Sequence, residues 1–457
     1  MGRMPQKLKI AFIGAGSGTF APLTITDVML SDTLNSVPLE LALMDLAEEP
    51  LRKREAYANE LVRGLGRSAR VVATTRLEEA VDGADFVITA IEARRHHYWT
   101  QDFHVPRRYG FRQIFGENGG PGAMFHTLRS LVPLLEIAKT MERLCPNAWM
   151  INYSNPEAKL VEGISKLSGI KVVGLCHGIG MGIRQLSHFL DIPAQDLDVT
   201  ACGMNHFSWF QKIVNRKTGE DLYPELIRRE REMNWLSDWD EIALSRIMLR
   251  TYGLYPLPGA NHIGEYIGWG DGFLASSHIQ FFYDPADGNP WHTGNMPPFV
   301  YSFSKNPTDI PLYGSDDKQA PPASIDFDKL KGSHEVGIPM IEAIAFDQRT
   351  EFKAVNVPNR GMIPGLYDDM VVELPAYADG EGLHTRQMDA LPAPITEMIR
   401  LQGTIHKLVI EAYVEQSRRK LLQALLIDPT VSSYHNAVAL IDEMCELQKE
   451  ILPPMHW

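Results

Sequence analysis

A loop built from glycines, followed on the next strand by an acid, has the residue types needed to hold a nucleotide. The loop is Gly14-Ala15-Gly16-Ser17-Gly18, and it follows the apolar run Leu8 to Ile13 directly. Gly14 permits a tight turn and Gly16 lets the backbone approach a pyrophosphate, while a helix starting after the loop aims its N–H groups at that anion. Asp45 ends the next apolar run, Leu39 to Met44. A carboxylate there accepts hydrogen bonds from adenosine ribose hydroxyls and repels a 2′-phosphate, which favours NAD over NADP. The spacing is Gly-x-Gly-x-Gly rather than Gly-x-Gly-x-x-Gly, so the reading rests on context: strand, loop, helix and terminal acid agree. Gly14, Gly16, Ser17, Gly18 and Asp45 are the expected cofactor contacts.

Polar and glycine residues concentrate in four more segments: Gly116 to Gly122, Asn152 to Pro156, Cys176-His177-Gly178 and Gly203 to Phe207. Each follows or joins a predicted strand. Several can therefore converge at the strands' carboxyl edge, where open α/β sheets bind ligands. Cys176 and His206 form a soft-plus-imidazole pair with coordination positions left open, as a metal gripping a substrate needs.

The elements that must position these residues alternate in kind. Apolar strands are predicted at Leu8–Ile13, Leu39–Met44, Val71–Thr74, Phe86–Ile91 and Ala148–Tyr153, with helical stretches through Leu30, over Arg52–Arg63 and over Pro121–Met141. That order predicts an α/β fold whose N-terminal part is a Rossmann-type doubly wound parallel sheet over roughly the first 180 residues. A mixed α+β part follows, and the working division is 1–200 for the cofactor and 201–457 for substrate, metal and oligomer contacts. Asp284 to Gly332, rich in Pro, Gly, Asp and Ser, reads as a long surface excursion. Ile395 to Leu426 reads as helical, stopped by Asp428-Pro429.

A chain of 457 residues with formal net charge −13 is not built to bind nucleic acid or an anionic membrane surface. Four cysteines make neither a disulfide framework nor a closed zinc site. A reducing, cytoplasmic setting is expected.

Taken together, Gly14-Ala15-Gly16-Ser17, the Glu117 to Gly122 turn, Asn152 to Pro156, Cys176-His177, Asn205-His206, Val355 to Pro364 and Val371 to Pro375 resemble glycoside hydrolase family 4. These are NAD- and divalent-metal-dependent glycosidases with a lactate/malate dehydrogenase-like fold. The resemblance implies that Cys176 and His206 hold the metal, with Mn2+ the usual ion. His177 follows the metal cysteine, where it either gives a proton to the leaving group or only contacts sugar hydroxyls. Glu117 matches an acid beside the site, Asn155 a residue contacting substrate or cofactor, and Asn205 a substrate contact. The C2 base of the family falls in the region Thr251 to His262. Tyr252 is the reading adopted for it, with a core tyrosine packed on the second lobe as the alternative.

The implied reaction oxidises sugar C3, removes the C2 proton, expels the anomeric oxygen, adds water and reduces C3 again, so NAD is not consumed. Cys176-His177-Gly178 looks most like the α-glucuronidase and α-galacturonidase type. A C6 carboxylate would need a cation, for which Arg94, Arg95, Arg107 and Arg108 are the nearby choices; the alternative is a solvated face. The other readings are an α-glucosidase or α-galactosidase of the same family, a plain 2-hydroxy-acid dehydrogenase, and a non-catalytic NAD-sensing scaffold. The partner expected is a small glycoside, and fold analogy points to a homodimer or homotetramer.

Overall fold

The computed structural model describes residues 4–18, 20–233, 242–273 and 325–457. Strands β1 (Leu8–Ile13), β2 (Leu39–Met44), β3 (Arg70–Thr74), β4 (Phe86–Thr89), β5 (Trp149–Asn152) and β6 (Lys171–Gly174) pair in parallel in the order β3-β2-β1-β4-β5-β6. Their side chains alternate between two cores. Ile10 and Phe12 of β1 join one with Ile25 and Leu51, while Ala11 and Ile13 join another with Leu134 and Leu160. Parallel strands covered on both faces read as unbroken apolar runs, which is why these were visible in sequence. The helices between them are α1 (Phe20–Leu30), α2 (Glu48–Gly64), α3 (Leu77–Val81), α4 (Arg95–Arg108), α5 (Gly120–Leu144) and α6 (Glu157–Leu167), with α7 (Gly178–Leu190) following β6. Strand order reverses between β1 and β4, and that reversal opens a crevice.

The sheet does not stop at β6. Strands β7 (Leu197–Met204), β8 (Phe207–Asn215), β9 (Pro256–Leu257), β10 (Thr350–Pro358) and β11 (Val371–Asp379) extend it in the order β6-β10-β11-β7-β8-β9, and β12 (Gly382–Thr385) pairs with β11. These pairings are antiparallel. Two of the joins are a single residue pair each, Asn356 with Gly174 and Glu373 with Gly203. One transverse row therefore crosses the sheet from Ile13 through Thr89, Asn152, Gly174, Asn356, Glu373 and Gly203 to Ser208. Helices α8 (Tyr223–Glu232), α9 (Ala243–Tyr252), α10 (Ala260–Ile263), α11 (Gly337–Phe346), α12 (Ala393–Glu415), α13 (Arg418–Ile427) and α14 (Tyr434–Leu447) complete the described elements.

Two expectations are adjusted, and a third lies mostly outside the described residues. The helical reading from Ile395 to Leu426 is two helices, because Gln416 takes a left-handed φ of 52° and Ser417 caps α13 by accepting from Lys420 N. The strand expected over Phe86–Ile91 ends at Thr89, where the chain turns toward the crevice. Of the excursion expected over 284–332, only 325–332 lies within the described residues. No described helix is long and apolar enough to cross a membrane.

Helices α4 and α5 are clamped by Arg129 and Asp102, an ion pair of 2.6 Å with both side chains at most 1% exposed, and Gln448 donates to the same carboxylate. Arg129→Met leaves that carboxylate buried without its cation. A loss of about 3–5 kcal/mol is expected, read by urea denaturation.

Candidate active site

The crevice at the β1/β4 reversal is a cleft of about 830 Å³ lined by Gly14, Ser17, Gly18, Asp45, Tyr153 and Asn155 among others. Gly14 has φ +94°, and a Cβ there would lie 2.1 Å from the Ala90 carbonyl oxygen, so only glycine fits. Gly16 does something different from the expected approach to phosphate. Its N–H donates to Asp45 Oδ2 at 2.8 Å, and an added Cβ would meet that carboxylate at 2.8 Å. The missing side chain makes room for the acid. Asp45 Oδ1 accepts from Ala47 N, so both oxygens are fixed at the cleft wall. Ser17 Oγ accepts from Phe20 N at 3.0 Å and caps α1. Burial pushes the Asp45 carboxyl above its ordinary value, against the pull of these backbone N–H groups.

Beyond the sheet row, Cys176 and His206 meet. Cys176 Sγ lies 3.5 Å from His206 Nε2, a separation one metal ion can bridge through both atoms. His206 sits in the two-residue turn between Met204 and Phe207 with φ +61°. A non-glycine residue pays about 1–2 kcal/mol for that conformation, strain of the sort concentrated at functional sites. Burial, then the neighbouring His262, holds the His206 ring neutral, the form that ligates metal. Burial, then Glu373 and Glu157, pushes the Cys176 thiol up to about 12, so it takes a cation to make the thiolate. His206 Nδ1 and Asn205 Oδ1 are buried without a hydrogen-bond partner among the described residues. The donor set fits a metal with open positions: no third His, Cys, Asp or Glu among the described residues completes a three-ligand group.

Glu373 organises this corner. Its carboxylate accepts from Ser208 Oγ at 2.8 Å and from Asn205 Nδ2 at 3.2 Å, fixing the turn that carries His206. Glu157, 1% exposed, lies over Gly174, where a Cβ would come within 1.3 Å of its Oε1. His177 is largely exposed at the head of α7, with Nδ1 3.5 Å from Glu335. That contact, above all, raises the pKa of its imidazole.

Glu117 is 7% exposed and pairs with Arg95 at 2.6 Å, while Glu92 takes another guanidinium nitrogen of Arg95. Glu265 accepts the backbone N–H groups of Glu117 and Asn118, which pins the turn ahead of α5. Next to Glu265, Tyr266 is buried and its hydroxyl donates to the Asn205 carbonyl at 3.3 Å. This tyrosine was not singled out in sequence; the adjoining acid in an apolar stretch, Glu265-Tyr266, was the one local signal.

Some expected residues go elsewhere. The Tyr252 ring packs edge-on against Trp209 at 6.2 Å. Arg94 is taken by Glu450, Arg108 by Glu443, and Arg107 donates to the Gln113 carbonyl. Of that run, Arg95 is the one that lines the cleft.

Residues 9–192 match family 4 glycosyl hydrolase and residues 201–431 match the family 4 glycosyl hydrolase C-terminal domain. An α-glucosidase of Erwinia rhapontici is 30% identical, over 96% of this chain and 98% of its own. An α-galacturonidase of Thermoanaerobacter italicus is 25% identical over 98% of each. A 6-phospho-α-glucosidase from gut microorganisms, solved in complex with NAD and Mn2+, has the same fold with a TM-score of 0.76 at 24% identity, covering 98% of this chain and 100% of that one. With two family matches in order over most of its length, the chain belongs to glycosyl hydrolase family 4 and is a glycosidase rather than a plain dehydrogenase or a scaffold.

Proposed function

We propose that this glycosidase cleaves an α-linked uronide, a glucuronide or galacturonide, with NAD in the glycine-loop cleft and Mn2+ between Cys176 and His206. The observation that carries the reading is the 3.5 Å approach of Cys176 Sγ to His206 Nε2, beside the orphaned Asn205 Oδ1 and on the same sheet as an NAD-sized cleft. The uronide follows from Cys176-His177-Gly178, from Arg95 at the cleft, and from the galacturonidase relative. A neutral α-glucoside is the second reading, favoured by the 30% identical α-glucosidase. The working division stays at 1–200 and 201–457, in a cytoplasmic homodimer or homotetramer.

Bound NAD supplies reversible hydride acceptance at sugar C3 and the metal a Lewis acid on the O2/O3 edge, which together make the C2 proton removable. Asp45 holds the adenosine ribose hydroxyls, and Asn155 faces the same cleft. Asn205, steadied by Glu373, orients the sugar next to the metal ligand. Tyr266, whose Oη donates to the Asn205 carbonyl, takes the C2 proton after losing its own to solvent as the tyrosinate forms. That arrangement favours Tyr266 over Tyr252, whose ring is engaged by Trp209. His177, exposed at the head of α7, gives a proton to the leaving oxygen. Glu117 and Arg95 form the polar wall between cleft and tyrosine.

Paired nitrophenyl glycosides test the substrate. Higher kcat/KM on the α-glucuronide or α-galacturonide than on the α-glucoside is expected, and faster turnover of the neutral sugar would sink the uronide reading. Turnover in D2O, followed by NMR at C2 of the product, tests the base. Wild type is expected to incorporate deuterium, Tyr252→Phe to stay within a few-fold of it, and Tyr266→Phe to fall by about 10²–10⁴. The reverse order returns the role to Tyr252. Finally, Gly16→Ala displaces Asp45, and its NAD affinity in a calorimetric titration is expected to fall at least about tenfold.

A further inference from the structure

One buried cation has no part in the scheme above. Lys159 on α6 is 2% exposed, and its Nζ donates to the Asn118 carbonyl. No carboxylate lies within 4 Å of that Nζ among the described residues. The ammonium instead lies 5.9 Å from the ring centre of Tyr266. Burial lowers its pKa to about 8, against the more distant carboxylates of Glu265, Asp428 and Glu162, so it carries its proton at neutral pH. A buried ammonium without a close counter-ion costs stability, and a well-packed apolar side chain of like volume would be as good for the fold or better.

The neighbours explain what such a charge is for. Burial, then the carboxylates of Glu265, Glu117, Glu157 and Glu373, hold the Tyr266 hydroxyl protonated. Burial raises the pKa of Glu157, Glu265 and Glu373 as well, so the corner around Tyr266 resists new negative charge. In the C2 step Tyr266 acts as the tyrosinate, its hydroxyl proton having left to solvent beforehand; the C2–H bond breaks, its proton passes to Tyr266 Oη, and the electron pair moves into C2–C3 with charge on O3. Forming a tyrosinate in such a corner calls for positive charge beside it, which the Lys159 ammonium supplies from 5.9 Å off the ring centre.

We propose that Lys159 is a positioning residue for C2 deprotonation: its ammonium holds the Glu117–Asn118 turn beside Glu265-Tyr266 and supplies the positive charge that favours the tyrosinate. The inference rests on Tyr266 being the base. It gives the segment after Asn155-Pro156 a role in the chemistry beyond starting a helix.

The test uses Lys159→Met, which removes charge and hydrogen bond, Lys159→Gln, which keeps a donor for the Asn118 carbonyl, and Lys159→Arg, which keeps the charge. Each NAD- and Mn2+-loaded enzyme is assayed with substrate deuterated at C2 or at C3, and each protein without ligands is melted. The expected result is a fall in kcat of about 10- to 100-fold in both neutral variants with KM within a few-fold. The C2 isotope effect grows, the C3 effect shrinks toward unity, Lys159→Arg recovers part of the rate, and the neutral variants melt at or above wild type. Wild-type kcat in a neutral variant overturns the proposal, and so does a slower rate with an unchanged balance of C2 and C3 effects. Melting well below wild type in both neutral variants also overturns it, because the ammonium is then an anchor of the fold. Failure of the parent reading shows separately, as wild type that takes up no deuterium at C2 or Tyr266→Phe that keeps its exchange rate.

Discussion

The distance from Cys176 to His206 depends on one row of backbone pairing. Gly174, Asn356, Glu373, Gly203 and Ser208 stand opposite one another on five successive strands. Residues opposed across a sheet point to the same face, so this row presents a line of polar groups toward the interior. Two members are glycines, and both are crossed by a neighbour's carboxylate. Glu157 lies over Gly174, and Glu373 reaches Ser208 across Gly203. A side chain at Gly174 would push the Glu157 carboxylate out of the row, and one at Gly203 would strike the Phe207 carbonyl and Ser208 of the turn that carries His206. The two joins of one residue pair each leave the strands free to diverge on either side of the row, which an extended ladder would not.

The same row joins chemistry that the chain order keeps apart. At one end Thr89 Oγ donates to Asn152 Oδ1, which also accepts from Ser154 N, and Ser154 Oγ accepts from Ile91 N at the cleft. At the other, Glu373 holds Asn205. A cofactor that lends a hydride must sit within reach of the carbon it oxidises, and proximity of this kind is worth several kcal/mol of barrier only when the groups do not wander. A rigid sheet supplies that more directly than two lobes joined by a hinge.

What the sequence made legible follows from this geometry. Parallel strands announce themselves as apolar runs, and the residues just past their ends are where ligands gather, so Gly14, Asp45, Cys176 and His206 could be proposed from local order, and Asn155 from the family resemblance. Glu373 and Glu157 could not. Glu373 is a lone acid in an apolar stretch and Glu157 one of several polar residues after Asn155-Pro156, and the meaning of each comes from a glycine on a neighbouring strand. Tyr266 was hidden for a similar reason: its partner is a backbone carbonyl on a distant turn, which leaves no mark in sequence. Arg94 and Arg95 are adjacent letters, yet the left-handed backbone at Arg94 (φ 35°) sends one to Glu450 and the other to Glu92 and Glu117. The break at Gln416 was equally silent, since glutamine is a good helix former and only its conformation ends α12.

Charge is the remaining constraint on the site. The chain carries a formal net charge of −13, and Glu117, Glu157, Glu265 and Glu373 are all nearly buried around one corner. A ligand pair consisting of a dinucleotide and a uronide would add more negative charge to that region. Burial raises the pKa of Glu157, Glu265 and Glu373, so the corner sheds negative charge by protonation as well as through described cations, Arg95 between two acids and Lys159 beneath the tyrosine. Burial above all, then Glu373 and Glu157, keeps the Cys176 thiol protonated until a cation arrives, so thiolate formation and metal capture are one event.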